Sequence, residues 1–136
     1  MQKNDFVSLW LVNVDDEHKL RKIIEFSYDE DGDSIPSVFC DLFMLEFYDE
    51  DFCDIGYVGR KDCITELLNG FSYDYSIIPK FEKIIQANNV CVGDFNSAIL
   101  LYNFKYTNDI VHKTHDNCGF QFVGNVKIES GLLCKS

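Results

Sequence analysis

Positive charge is scarce beside negative in this sequence: 12 Lys and Arg stand against 23 Asp and Glu, a formal net charge of −11. A chain of that sign repels phosphate, which argues against nucleic acid or an anionic membrane as a direct partner. Long apolar runs are missing too. The N-terminus "MQKNDFVSLWLVNVDDEH" is apolar only from Phe6 to Val12, too short for a membrane span and without a signal-peptide cleavage pattern, so a cytoplasmic protein is expected. The six cysteines, at 40, 53, 63, 91, 118 and 134, form no CxxC or other metal-ligand spacing. In a reducing compartment they read as buried thiols. The sequence also contains neither a GxSxG elbow nor a glycine loop that would cradle phosphate.

What is present is a chain of 136 residues with twelve Phe and seven Tyr spread along it. That length suits one domain, residues 1–136, able to bury roughly two-thirds of its unfolded surface, with 129–136 as a flexible tail. The acidity is local. Between Tyr28 and Asp54 lie ten acids and no Lys, Arg or His, whereas the other 109 residues hold 13 acids and 12 bases. Two runs carry most of it, "SYDEDGDSIPS" at 27–37 and "FYDEDF" at 47–52.

The expected fold is α+β, a mainly antiparallel sheet made of an N-terminal strand and a C-terminal meander, with helices packed on one face. Asp5 to Val14 is apolar on both faces and fits an inner strand. Asp15 or Asp16 caps a helix whose stripe is Leu20, Ile23 and Ile24, ending near Phe26 or Ser27. Pro36 opens a short helix to about Met44, with Phe39, Leu42 and Phe43 inward. Between that helix and Asp62 the signals are mixed, consistent with a short strand and a turn. Helices follow at Asp62–Asn69, with Gly70 just beyond the C-cap, and at Ser76–Asn88. Alternation then predicts strands, one with Ala98, Leu100, Tyr102, Phe104 and Tyr106 on one face, another with Phe120, Phe122, Val126 and Ile128 on one face. A shorter strand near 110–113 lies between them, after a turn at Asn108-Asp109.

Three candidate sites arise. "DEDGD" resembles a calcium loop, but with Gly32 at the glycine position the required bidentate Glu falls at Val38, which cannot ligate. His112 and His115, near Asp109 and Asp116, form an HxxH that a metal-dependent hydrolase would need; on a strand, however, that spacing points to opposite faces, and solvated histidines are the simpler reading. Paired carboxylates prove nothing in a chain with 23 acids. No catalytic residue, metal ligand or cofactor is therefore assigned, and an enzyme is not expected. The third candidate is an interaction surface in which Asp29, Glu30, Asp31, Asp33, Asp49, Glu50 and Asp51 steer a basic protein partner, with Tyr28, Tyr48 and Phe52 as aromatic anchors. Phe71, Tyr73 and Tyr75 around Asp74 either extend that surface or belong to the core. An acidic adaptor domain is an alternative of the same composition.

The blocks "VSLWLVN", "EDGDSIPSVFCDLF", "FYDEDF", "ELLNGFSYDYS" and "AILLYNFKY", in that order, resemble the immunity protein 22 family of bacterial polymorphic-toxin and contact-dependent inhibition systems. The resemblance runs from Val7 to about Ile128. It implies a small cytosolic protein, encoded beside a secreted or contact-delivered toxin, that binds and blocks the toxin's C-terminal domain without catalysis or cofactor. With the acidic stretch, it leads to the expectation of a basic nuclease domain as partner.

Overall fold

The computed structural model describes residues 2–45, 48, 50–71 and 73–128. The expected flexible tail, 129–136, lies outside them. The elements are β1 (Gln2–Asn13), α1 (Glu17–Ile24), β2 (Ser27–Tyr28), β3 (Ser34–Ile35), α2 (Val38–Phe43), β4 (Cys53–Tyr57), α3 (Ile64–Leu68), α4 (Asp74–Asn88), β5 (Ser97–Phe104), β6 (His112–His115) and β7 (Cys118–Lys127). A 3₁₀ turn at Glu50–Phe52 leads into β4.

Five strands form one antiparallel sheet in the order β4-β5-β1-β7-β6, and β2-β3 is a separate hairpin. The α+β class and the inner position of the first strand are as expected. The meander is not, because β1 lies between β5 and β7 and pairs with both.

β1 alternates. Val7, Leu9 and Leu11 enter one apolar cluster with α3 and α4 residues such as Leu67, Leu68, Ile77 and Phe81. Trp10 and Val12 enter a second with Leu20 and Ile23 of α1 and Phe39 and Phe43 of α2. Helices therefore cover both faces of the sheet, which corrects the one-face expectation. A central strand apolar on both sides leaves no other arrangement that keeps water off it.

Two irregularities also redirect side chains. In β5, Ala98, Leu100 and Tyr102 face the α3–α4 cluster, but Phe104, and Tyr106 just after the strand, join the opposite one. Asn103, at φ 54°, reverses the alternation beside Asp5 at φ 68°, whose N–H bonds Asn103 Oδ1 at 3.2 Å. In β7 the register against β1 slips between Leu9 and Trp10, so Phe120 and Phe122 lie on one face and Val126 and Ile128 on the other. One extra residue, Val123, accounts for that flip. Gly124 sits directly under Ile84 of α4, where a Cβ would come within 3.1 Å of its Cδ1.

The helix starts follow local chemistry. Asp16 caps α1 by accepting from Lys19 N at 2.8 Å. Ser37, not Pro36, caps α2 through its bond from Cys40 N at 3.1 Å, which places Pro36 outside the helix. α1 ends at Ile24, sooner than expected, because the chain turns into the hairpin.

Candidate functional site

The first acidic run is the tip of the β2–β3 hairpin. Tyr28 pairs with Ser34 and Ser27 with Ile35. The tip is tied by Asp29 N to Asp33 O at 3.0 Å and Gly32 N to Asp29 O at 3.1 Å, with Gly32 at φ +84°. One carboxylate works inward: Asp29 Oδ1 accepts from Asp31 N at 3.0 Å and from Asp33 N at 2.9 Å. Such a side chain imitates a backbone turn and accounts for Asp at this position. Residues 27–36 are all exposed, so Glu30, Asp31 and Asp33 project from a segment that contributes nothing to either core.

A hairpin this small does not hold itself together in water. Its base is fastened by Tyr48. The Tyr48 hydroxyl donates to Ile24 O at 2.6 Å, just before the hairpin, and lies 3.2 Å from Ser37 Oγ, just after it. The ring packs against Phe26 at 4.8 Å and edge-on to Phe39 at 6.0 Å. Tyr48 is 3% exposed, and its place as a surface anchor is corrected: it is the clamp under the hairpin. The look-alike strings "SYDED" and "FYDED" concealed this, since Tyr28 is 65% exposed. The partners of Tyr48 are a carbonyl 24 residues away and a hydroxyl 11 residues away, and no local pattern announces them.

The second run leaves that clamp. Asp49 lies outside the described residues, as does the side chain of Glu50. Asp51 is exposed on the 3₁₀ turn. Phe52 is half-buried against the α3–α4 cluster, more core than anchor. Asp54, also half-buried, adds to the burial that raises the Tyr102 phenol far above its ordinary range. Among the described residues, Asp29, Glu30, Asp31 and Asp33 take part in no ion pair; the pairs formed by Lys19, Arg21 and Lys22 use Asp15, Asp116, Glu17 and Glu25. Sequence reasoning missed Ile35, 43% exposed on the hairpin face opposite Tyr28. An aliphatic residue set between Ser34 and Pro36 in a polar run was the available signal. Of the third aromatic group, Phe71 is core, Tyr73 is half-buried and Tyr75 is 72% exposed.

The other candidates do not assemble. His112 and His115 are exposed along β6, and no group of three or more His, Cys, Asp or Glu able to hold a metal occurs among the described residues. Cys118 is buried beside His115 and Asp116 at the β6–β7 turn. Desolvation pushes its thiol up, away from the thiolate a nucleophile needs, although nearby Lys19 opposes this. Cys40 is buried and likewise raised, whereas Cys63 and Cys91 are exposed, contrary to the expectation of buried thiols.

Among the described residues no helix is long and apolar enough to cross a membrane. Neither the curated proteins nor the solved structures returned a match to this chain. A family model described as Immunity protein 22 matches residues 7–129. With nearly its whole length inside that match, the chain belongs to the immunity protein 22 family, a description that carries an immunity function and a toxin as partner.

Proposed function

We propose that this protein neutralises the C-terminal domain of its cognate toxin by stoichiometric binding in the cytoplasm, through the acidic surface of the 27–35 hairpin and the 48–54 segment. The toxin domain is a nuclease whose basic cleft, shaped to attract phosphate, attracts these carboxylates instead. The supporting observation is the hairpin: it is exposed throughout, belongs to neither core, and holds Glu30, Asp31 and Asp33 outward without ion pairs among the described residues. Such carboxylates keep their charge available for a partner. Tyr28 and Ile35 supply apolar contact on the two faces of the same hairpin. In the sequence, Asp49, Glu50 and Asp51 follow Tyr48 directly and add three carboxylates to the acidic stretch.

Charge of this kind sets mainly the association rate, and apolar contact sets the lifetime. A patch of about 800 Å² per partner suffices for a stable complex. The test is reversal of Glu30, Asp31, Asp33 and Asp51 to Lys, with Asp29 retained because its carboxylate holds the turn. Binding to the toxin domain falls while the circular dichroism of the free protein is preserved. Unchanged binding would place the interface elsewhere.

A further inference from the structure

Two helices end in the same turn. At the end of α4, Asn89 takes the left-handed conformation at φ 53°, and its N–H and that of Val90 both reach back to Ile85 O. At the end of α2, Met44 does so at φ 56°, and its N–H and that of Leu45 both reach back to Cys40 O. Glycine or asparagine ordinarily fills this position, because a larger side chain crowds its own backbone there. Asn89 follows that preference and Met44 breaks it.

Among the described residues, seven other than glycine have positive φ, and five of these are Asp or Asn. The remaining two are Tyr73 and Met44. Tyr73 is explained by the core: it is half-buried, and its ring lies edge-on to Tyr102 at 5.9 Å beside the α3–α4 cluster. Met44 has no such explanation, since it is 68% exposed and belongs to neither cluster. An exposed methionine alone is ordinary. One that also strains the backbone, where glycine fits better, gives the fold nothing in return, and such strain at a surface position points to a function for the side chain.

The position is also held. Tyr106 Oη donates to Phe43 O at 2.9 Å, and Asn108 Nδ2 donates to Phe43 O at 3.2 Å and to Met44 O at 2.8 Å. These donors satisfy carbonyls that the helix end leaves open, and they fix the backbone from which the thioether chain projects. Asp41, also exposed, lies one turn before Met44, and exposed Ile35 of the acidic hairpin stands just before the same helix. No Lys, Arg or His occurs from Tyr28 to Gly59.

We propose that Met44 is an apolar anchor of the toxin interface, inserted into an apolar socket of the toxin domain whose rim carries basic side chains that meet Asp41. An unbranched, polarizable side chain suits such a socket, and a fixed backbone limits the freedom lost on binding. This inference rests on the proposed toxin-binding function and extends its surface from the hairpin to the end of α2.

The test replaces Met44 in the full chain by Gly and, separately, by Asn, the residue that ends α4. Melting of each free protein is followed, and affinity is measured by calorimetric titration with the C-terminal domain encoded by the neighbouring toxin reading frame. Met44→Gly melts about 2–5 °C above the parent, because glycine adopts this backbone without strain. Both variants bind at least about 10-fold more weakly than the parent. Parent affinity in both variants overturns this inference and leaves toxin binding intact. A loss confined to the Gly variant overturns it too, by tracing the effect to backbone freedom, and so does a lower melting midpoint for Met44→Gly, by showing that the side chain serves the fold. A dimer of the free parent that Met44→Gly dissolves assigns the side chain to a second copy and likewise overturns it. No complex with the parent at all overturns the binding proposal and this one with it.

Discussion

Replacing Tyr48 by Phe tests the clamp under the acidic hairpin. The substitution keeps the ring against Phe26 and Phe39 and deletes only the hydroxyl that donates to Ile24 O at 2.6 Å and approaches Ser37 Oγ at 3.2 Å. Ile24 is the last residue of α1, where carbonyls have no helical partner, so its oxygen loses a donor that the fold had supplied. Ser37 Oγ keeps its bond from Cys40 N, which leaves the α2 cap intact. Loss of one such bond at a largely buried site costs about 1–2 kcal/mol. For a chain of this size that lowers the melting midpoint by roughly 3–10 °C. Trp10, the sole tryptophan, lies edge-on to Phe39 at 4.9 Å in the same cluster and reports unfolding by fluorescence. The local effect is the sharper one. The Asp31 and Asp33 amides, both bonded to Asp29 Oδ1, exchange about 5–30-fold faster in the variant, as expected for the same loss expressed as hairpin opening. A midpoint within about 1 °C of the parent, together with unchanged exchange at these amides, would refute the clamp.

Other consequences concern packing and thiols. A Cβ at Gly56 would stand 2.8 Å from Phe71 Cε1 and closer still to Cζ, so Gly56→Ala destabilises by about 1–3 kcal/mol in urea titration, whereas Gly93→Ala, which meets nothing within 4 Å, does not. Native-state alkylation at neutral pH labels Cys63 and Cys91 first, while Cys40 and Cys118 stay unmodified until the protein unfolds, since both are buried and burial pushes both thiols up. Peptide mass mapping of the labelled sites checks the order.

The α+β class was legible because the periodicities were strong: β1 is apolar at every position from Leu9 to Val12, and α4 repeats Ile77, Phe81 and Ile85 at helical spacing. The same two-sided β1 already required cover on both faces, a consequence the one-face expectation did not draw. The face switches at Asn103 and Val123 were hidden for a different reason. Each depends on a single residue breaking the alternation, and Asn103, at positive φ, accepts a hydrogen bond from Asp5 N, nearly a hundred residues away. Strand order was equally invisible, because β1 enters between β5 and β7 only in three dimensions. In the acidic region the charges could be read from sequence, but their division of labour could not. Asp29 turned inward to hold a loop, Tyr48 became a clamp, and Tyr28 stayed at the surface.

In the proposed function, the exposed carboxylates of the hairpin and of Asp51 carry recognition of the toxin. Stopped-flow association of the toxin domain with the parent chain and with the Glu30, Asp31, Asp33 and Asp51 to Lys variant tests it most directly, at low and at physiological salt. The parent associates faster at low salt, and the variant is slower by about 10- to 1000-fold there, with the gap narrowing as salt is added. Equal rates for the two proteins, insensitive to salt, would contradict the account.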